Sequence, residues 1–207
     1  MTAPAPERPQ LYLISPPAFD ARSFAETLAR LLDRFETACF RLDLAGSDAD
    51  AIRRAADLLR ETCHARDVAI VIASHFRLAA ELGLDGVHLK DGVRGLREAR
   101  RALGAEAIVG AHCGASRHAG ITAAEAGADY IAFGPVADSG LGDGSFAGRE
   151  LFAWWSEMIE VPVVAEGGLS PETAADLAPV ADFLAPGGEI WTQADPEAAL
   201  AALLARL

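Results

Sequence analysis

Short apolar runs alternate along the chain with segments whose apolar residues recur at helical spacing. Eight runs have the composition of strands: residues 11–15, 38–44, 68–73, 86–89, 107–112, 130–134, 161–165 and 183–185. Eight segments have helical periodicity: residues 21–35, 48–63, 76–82, 95–103, 118–126, 148–158, 171–177 and 196–204. This alternation predicts parallel strands joined by crossover helices, because parallel neighbours require such connections.

Several of the strand runs, such as residues 68–72, are apolar throughout, which is typical of strands covered on both faces. An open, doubly wound sheet would show the same runs. Eight near-equal units favour closure instead, so we predict the α/β class and a single (β/α)8 TIM barrel. The barrel domain is expected over residues 10–207, preceded by a flexible N-terminal tail at 1–9.

Glycine pairs follow the last two predicted strands, at Gly167 and Gly168 and at Gly187 and Gly188. Glycine lets the backbone approach an anion closely, and Ser170 is placed to cap a helix whose free N–H groups point at the same position. One such pair alone is equally consistent with a tight turn. Two pairs at these strand ends predict the phosphate-binding turns of a barrel.

The 207 residues carry a formal net charge of −12, which repels nucleic acid and anionic membranes and excludes both as expected partners. An anionic substrate must therefore be held by local features. The three cysteines lack metal-ligand spacing, and we expect free thiols in a reducing compartment. Without a signal-like or membrane-spanning run, the sequence favours a cytoplasmic protein.

Polar residues at strand ends are the candidates for chemistry, because the carboxyl ends of barrel strands surround the active site. Lys90 stands out as the only lysine, against seventeen arginines, and its compact charge suits an anion or a proton transfer. A solvated surface lysine beside Asp91 is the competing interpretation. His112 is a candidate acid or base, or else a core histidine. The remaining candidates are Arg41, Asp43, His88 and Glu166, with Ser139 in a glycine-rich loop at 137–146 that could form a lid.

With these segments assembled, the chain resembles the thiamine phosphate synthase family, which also contains the thiazole tautomerase TenI. Three runs carry the resemblance: residues 85–89 (DGVHL), 126–136 (AGADYIAFGPV) and 161–168 (VPVVAEGG). The resemblance implies a barrel enzyme that joins an aminopyrimidine diphosphate to a thiazole phosphate and releases pyrophosphate. It further implies magnesium at the leaving group and the thiazole phosphate at the glycine turns.

The chain departs from the family pattern where the diphosphate and the metal would bind. Residues 41–45 (RLDLA) replace Gln-x-Arg-Glu-Lys, residues 73–74 (AS) replace Asn-Asp, and residues 90–93 (KDGV) replace Gly-Gln and two acidic residues. The loop pattern Thr-x-Thr-Lys becomes residues 139–142 (SGLG). Both metal carboxylates are therefore missing from their usual positions, and only Asp43 or Asp91 could replace them as magnesium ligands.

Three functions remain open at this point. The first is a synthase-like transferase acting on small phosphorylated substrates, with Arg41 and Lys90 at the second anionic group, Asp91 at magnesium and Ser139 in place of a loop threonine. The second is a metal-independent isomerase that uses His112 or His88 as proton carrier. The third is a barrel that binds a phosphorylated ligand without converting it. A homodimer is a further expectation, since Trp154 and Trp155 suit either core packing or a subunit contact.

Overall fold

The protein is described by a computed structural model that covers residues 8–46, 48–137 and 145–207. Its eight strands are β1 (Gln10–Ile14), β2 (Thr37–Leu42), β3 (Ala69–Ala73), β4 (Gly86–Leu89), β5 (Ile108–His112), β6 (Tyr130–Phe133), β7 (Val163–Glu166) and β8 (Phe183–Ala185). Each strand pairs in parallel with the next, and β8 pairs with β1. The predicted TIM barrel is confirmed.

The helices cover the outside of the barrel. They are α1 (Ala21–Arg34), α2 (Ala49–His64), α3 (Phe76–Leu82), α4 (Leu96–Leu103), α5 (Arg117–Glu125), α6 (Arg149–Met158), α7 (Pro171–Leu177), α8 (Gly188–Trp191) and α9 (Pro196–Leu204). The sequence did not predict α8, because a helix of one turn is too short to show a period. Residues 1–7 of the expected N-terminal tail lie outside the described residues, as do residues 138–144 of the loop that contains Ser139.

Two large apolar clusters fill the space between the barrel and its helices, and a smaller one fills the barrel interior. Inside, Gly110 makes room for the ring of Tyr130: a Cβ at position 110 would lie 1.9 Å from Cζ of that ring. Residues of one strand alternate between interior and exterior. Because Cys39 belongs to the interior cluster, Arg41 two residues later also faces inward.

Three aspartates tie neighbouring units together at the amino ends of the strands. Each carboxylate accepts a backbone N–H from the first or second residue of a neighbouring strand, at 2.7 Å. The three bonds run from Ile70 to Asp85, from Val109 to Asp129 and from Val163 to Asp182. The amino-terminal face of a barrel contributes stability, and its other face is free to carry a site.

The two adjacent tryptophans have different surroundings. Trp155 is fully buried, and its indole Nε1 donates to the carbonyl of Val161 at 2.7 Å. Trp154 is half-buried, with the guanidinium of Arg117 4.1 Å above its ring centroid. Both rings therefore have partners within the chain, and the homodimer remains a prediction.

Candidate active site

Four charged or titratable side chains meet inside the barrel at the carboxyl ends of its strands. They are Arg41 on β2, His88 on β4, His112 on β5 and Glu166 on β7. Glu166 is central, since its Oε2 accepts a 2.8 Å hydrogen bond from Nη1 of Arg41. Its Oε1 lies 2.8 Å from Nδ1 of His112, although the angle of this contact is not that of a hydrogen bond. The barrel interior thus contains an ion pair with an imidazole beside it.

This ion pair is shielded from water, and each partner keeps the other charged against the cost of burial. Arg41 is 5% exposed and Glu166 is 8% exposed. Burial by itself raises the pKa of the Glu166 carboxyl, but Arg41 and His112 outweigh it, and the pKa lies well below its usual value. Burial likewise opposes the charge on Arg41, yet Glu166 helps to keep its pKa raised. Each charge therefore depends on the other.

A second ion pair lies closer to solvent. The Nζ atom of Lys90 lies 2.5 Å from Oδ1 of Asp43, and Oδ2 of Asp43 lies 3.5 Å from Nε of Arg41. Asp43 is held in place by Ser15, whose hydroxyl accepts its backbone N–H at 2.9 Å. The Lys90 side chain is 51% exposed, so its charge faces the mouth of the barrel. We call Arg41, Asp43, Lys90, His112 and Glu166 the mouth cluster.

Below the mouth cluster, hydroxyl groups and an imidazole form a buried hydrogen-bonded chain. Nδ1 of His88 lies 2.9 Å from the hydroxyl of Tyr130, which lies 2.7 Å from the hydroxyl of Tyr12. Burial, reinforced by the charge on Arg41, lowers the pKa of His88 well below its usual value, so the ring is neutral at pH 7. Burial raises the pKa of both tyrosines, which stay protonated. These three hydrogen-bonded side chains lie beneath the mouth cluster and carry no charge.

The two glycine pairs converge on a single position. In the first turn, Gly167 and Gly168 have φ of +77° and +84°, in the left-handed region that glycine adopts without strain. The backbone N–H groups of Gly168 and Leu169 from this turn, and of Gly187 from the second turn, all donate to one carboxylate, that of Glu189. We call these three N–H groups the amide cradle. Ser170 caps α7, as the sequence predicted, and Thr173 completes a capping box with it.

The structure brings most of the predicted site residues together, with three differences. Lys90 pairs with Asp43 and not with Asp91, which is exposed in the turn after β4. His88 is 1% exposed, so its expected substrate contact stays a prediction for which the described structure offers little surface. Of the four predicted glycines, only Gly168 and Gly187 contribute an N–H group to the cradle, and the third N–H group belongs to Leu169. Ser139 lies outside the described residues.

Sequence reasoning named Glu166 as a candidate without its pairing to Arg41, and it missed Tyr12, Tyr130 and Glu189. Glu166 had a usable signal, because it ends a strand immediately before the first glycine pair. The two tyrosines gave no signal beyond apolar strand composition. Glu189 could have been noticed as a charged residue directly after the second pair, where an anion is expected to bind.

The described residues do not fit a magnesium ion held by protein carboxylates. Magnesium prefers oxygen ligands in octahedral geometry. Both oxygens of Asp43 already face cations, and Asp91 is exposed in the turn after β4. The ligand atoms of His88, His112 and Glu166 do lie within 4.8 Å of one another. Two imidazoles beside the Arg41 guanidinium are, however, a poor environment for a hard dication.

Comparison with known proteins gives a consistent result. A sequence model of the family described as thiamine monophosphate synthase matches residues 11–185. The thiamine-phosphate synthase of Rhodospirillum centenum is 48% identical over 195 residues, covering 93% of this chain and 94% of the relative. That of Erythrobacter litoralis is 42% identical and covers 88% of each chain.

Among solved structures, a thiamine phosphate pyrophosphorylase from Pyrococcus furiosus superimposes with a TM-score of 0.80 at 22% identity. The match covers 94% of this chain and 93% of that protein, and it supports the fold. No described helix is long and apolar enough to cross a membrane.

Proposed function

The chain belongs to the thiamine monophosphate synthase family, and from this membership we propose that it is a transferase of thiamine biosynthesis. It joins an aminopyrimidine diphosphate to a thiazole phosphate and releases pyrophosphate. The observation that carries this proposal is the amide cradle, in which N–H groups from two separate strand ends point at one anion position. A phosphate on the acceptor would bind there.

The reaction needs one bond broken and one formed. The bond between the pyrimidine methylene carbon and the diphosphate oxygen breaks, and its electron pair leaves with pyrophosphate. The lone pair of the thiazole nitrogen then forms the new carbon–nitrogen bond. Negative charge accumulates on the leaving group, so the main task of the protein is to stabilise that charge.

Lys90 is the group of the mouth cluster best suited to that task. Its side chain is half-exposed, whereas Arg41 is buried and forms an ion pair with Glu166. Arg41, whose charge is offset by Glu166, would lie below the diphosphate, and Asp43 orients Lys90 through their 2.5 Å contact. His112 is 30% exposed with Nδ1 towards Glu166, which leaves Nε2 as the ring nitrogen for a substrate contact. Ser139, in the loop after β6, is proposed to take the place of the family's loop threonine.

Product formation tests this proposal directly. The purified protein is incubated with aminopyrimidine diphosphate, thiazole phosphate and magnesium, and thiamine phosphate is detected by chromatography. Parallel reactions contain a chelator, or the Lys90→Ala variant. We expect thiamine phosphate from the native protein and much less from the variant. No product from the native protein, at any magnesium concentration, would refute the transferase.

A metal-independent isomerase is the second candidate, and the contact between His112 and Glu166 favours it. An imidazole 2.8 Å from a buried carboxylate suits proton transfer. This function predicts exchange of a thiazole phosphate proton with deuterium in the presence of chelator, abolished in His112→Ala. Absence of exchange argues against it. Binding of thiazole phosphate without exchange or product would instead indicate a barrel that only binds its ligand.

A further inference from the structure

The amide cradle is filled by a side chain of the protein itself. Oε1 of Glu189 accepts the N–H groups of Gly168 and Leu169 at 2.6 and 3.0 Å, and Oε2 accepts that of Gly187 at 2.7 Å. The two carboxylate oxygens therefore bridge the two glycine turns. A phosphate with its oxygens in the same places would make the same bonds.

Two anions cannot share this position. Backbone N–H groups that donate to a carboxylate form charge-assisted bonds, which are stronger than neutral ones. Each bond that an incoming phosphate makes to the cradle must replace a bond already made by Glu189. The binding free energy that a phosphorylated ligand gains at the cradle is therefore only the difference between its own bonds and those of Glu189.

The position of Glu189 in the chain strengthens this competition. It lies two residues after Gly187, so its carboxylate is held near the cradle whether or not a ligand is present. A tethered group competes at an effective concentration of the order of millimolar for short flexible connections. Small-molecule phosphates must exceed that local concentration or bind more strongly.

We propose that Glu189 is a specificity-determining residue whose carboxylate competes with the phosphate of the acceptor substrate. The site consequently discriminates little between a phosphorylated acceptor and the corresponding neutral alcohol. This inference rests on the proposed function for the identity of the acceptor. The competition itself concerns only the cradle and an anion.

A purely structural role is the alternative, in which Glu189 does no more than join the two turns. The two roles make opposite predictions for Glu189→Gln. The amide keeps one oxygen acceptor but loses the charge, so a competing carboxylate is weakened while the shape is retained. Glu172→Gln is the matched control, because this substitution removes the same charge from a residue outside the cradle. Glu172 lies in the first turn of α7, where its carboxylate contacts Ser170 and Arg206.

The experiment is calorimetric titration of the native protein, Glu189→Gln, Glu189→Ala and Glu172→Gln with thiazole phosphate, thiazole alcohol and inorganic phosphate. Competition predicts that both Glu189 variants bind the two phosphates at least tenfold more tightly and the alcohol unchanged, while Glu172→Gln behaves as native. Phosphate affinity that is unchanged or weaker in both variants overturns the proposal. So does a gain of equal size in the control.

Thermal unfolding of the same variants provides a second readout. If Glu189 only joins the turns, its variants unfold at lower temperature and bind phosphate and alcohol equally poorly, which also overturns the proposal. Turnover is measured separately. Tighter phosphate binding without thiamine phosphate formation in any variant would support the competition and refute the transferase, so the two failures are distinguishable.

Discussion

At the scale of single residues, the site depends on charges that are stable only as pairs. Arg41 and Glu166 are both almost fully buried and lie 2.8 Å apart. Removing one partner leaves an uncompensated charge in a poorly solvated interior, which is more costly than the pair itself is stabilising. Lys90 differs, because half of its side chain is exposed and water screens its pairing with Asp43. The first pair holds the site in shape, and the second is free to meet a substrate.

Replacing Lys90 with alanine is expected to lower kcat/KM by roughly tenfold or more, since a cation facing the leaving group is lost. Steady-state kinetics with varied aminopyrimidine diphosphate measures this. Arg97→Ala is the control, because Arg97 is an exposed cation on α4. Unchanged kinetics in Lys90→Ala would remove Lys90 from the site.

Replacing Glu166 with glutamine is expected to lower the free energy of unfolding by about 3 to 5 kcal/mol at pH 7, because Arg41 loses its buried partner. The pKa of Glu166 is depressed in the folded protein, so its contribution is fully present above the unfolded pKa of about 4.3 and is lost progressively as the pH falls from there towards the much lower folded pKa. Urea unfolding should therefore show the stability difference between the two proteins beginning to shrink between pH 5 and pH 3 and continuing to shrink at lower pH. A constant difference across this range would contradict the assignment.

At the scale of secondary-structure elements, the ends of β7 and β8 matter most. The β7 turn needs glycine for two reasons: its φ values are positive, and a Cβ on Gly168 would lie 3.1 Å from Cβ of Ala137. The following helix begins at Pro171 behind the Ser170 cap, a pattern that the sequence showed clearly. The second turn leads into the single-turn helix α8, which carries Glu189 into the cradle and which periodicity could not reveal.

Gly168→Ala is expected to cost about 1 to 3 kcal/mol of stability, through a strained positive φ, and to weaken phosphate binding by distorting the cradle. Gly46→Ala is the control, because Gly46 is exposed, has an ordinary φ, and a Cβ there would have no atom within 4 Å. Thermal unfolding and titration with inorganic phosphate measure both effects. Equal behaviour of the two variants would show that the β7 turn tolerates a side chain.

At the scale of the whole molecule, a strongly acidic protein binds an anionic substrate. The net charge of −12 creates a repulsive field for phosphates, while Lys90, and the amide cradle where a phosphate displaces Glu189, would attract them only at short range. Salt screens interactions beyond about 10 Å at 0.1 M, so it weakens the long-range repulsion more than the contacts within the site.

The association rate constant for aminopyrimidine diphosphate is therefore expected to rise as sodium chloride increases from about 10 to 150 mM. Stopped-flow fluorescence of the native protein measures this rate, with the neutral thiazole alcohol as a ligand that should respond weakly. A rate that falls with salt would mean that local cations dominate the approach of the substrate.

The sequence by itself determined the barrel, because eight alternating units leave parallel strands and crossover helices as the consistent arrangement. It also pointed to the two turns that form the amide cradle, since paired glycines and a helix cap specify backbone geometry locally. Tertiary structure alone decided which side chains meet. Arg41 and Glu166 are 125 positions apart and come together only because the closed barrel turns both strands inward. Likewise, Lys90 pairs with Asp43 and not with its sequence neighbour Asp91, and Glu189 lies in the amide cradle. These contacts depend on which groups the folded chain brings close in space, and a local sequence pattern does not show that.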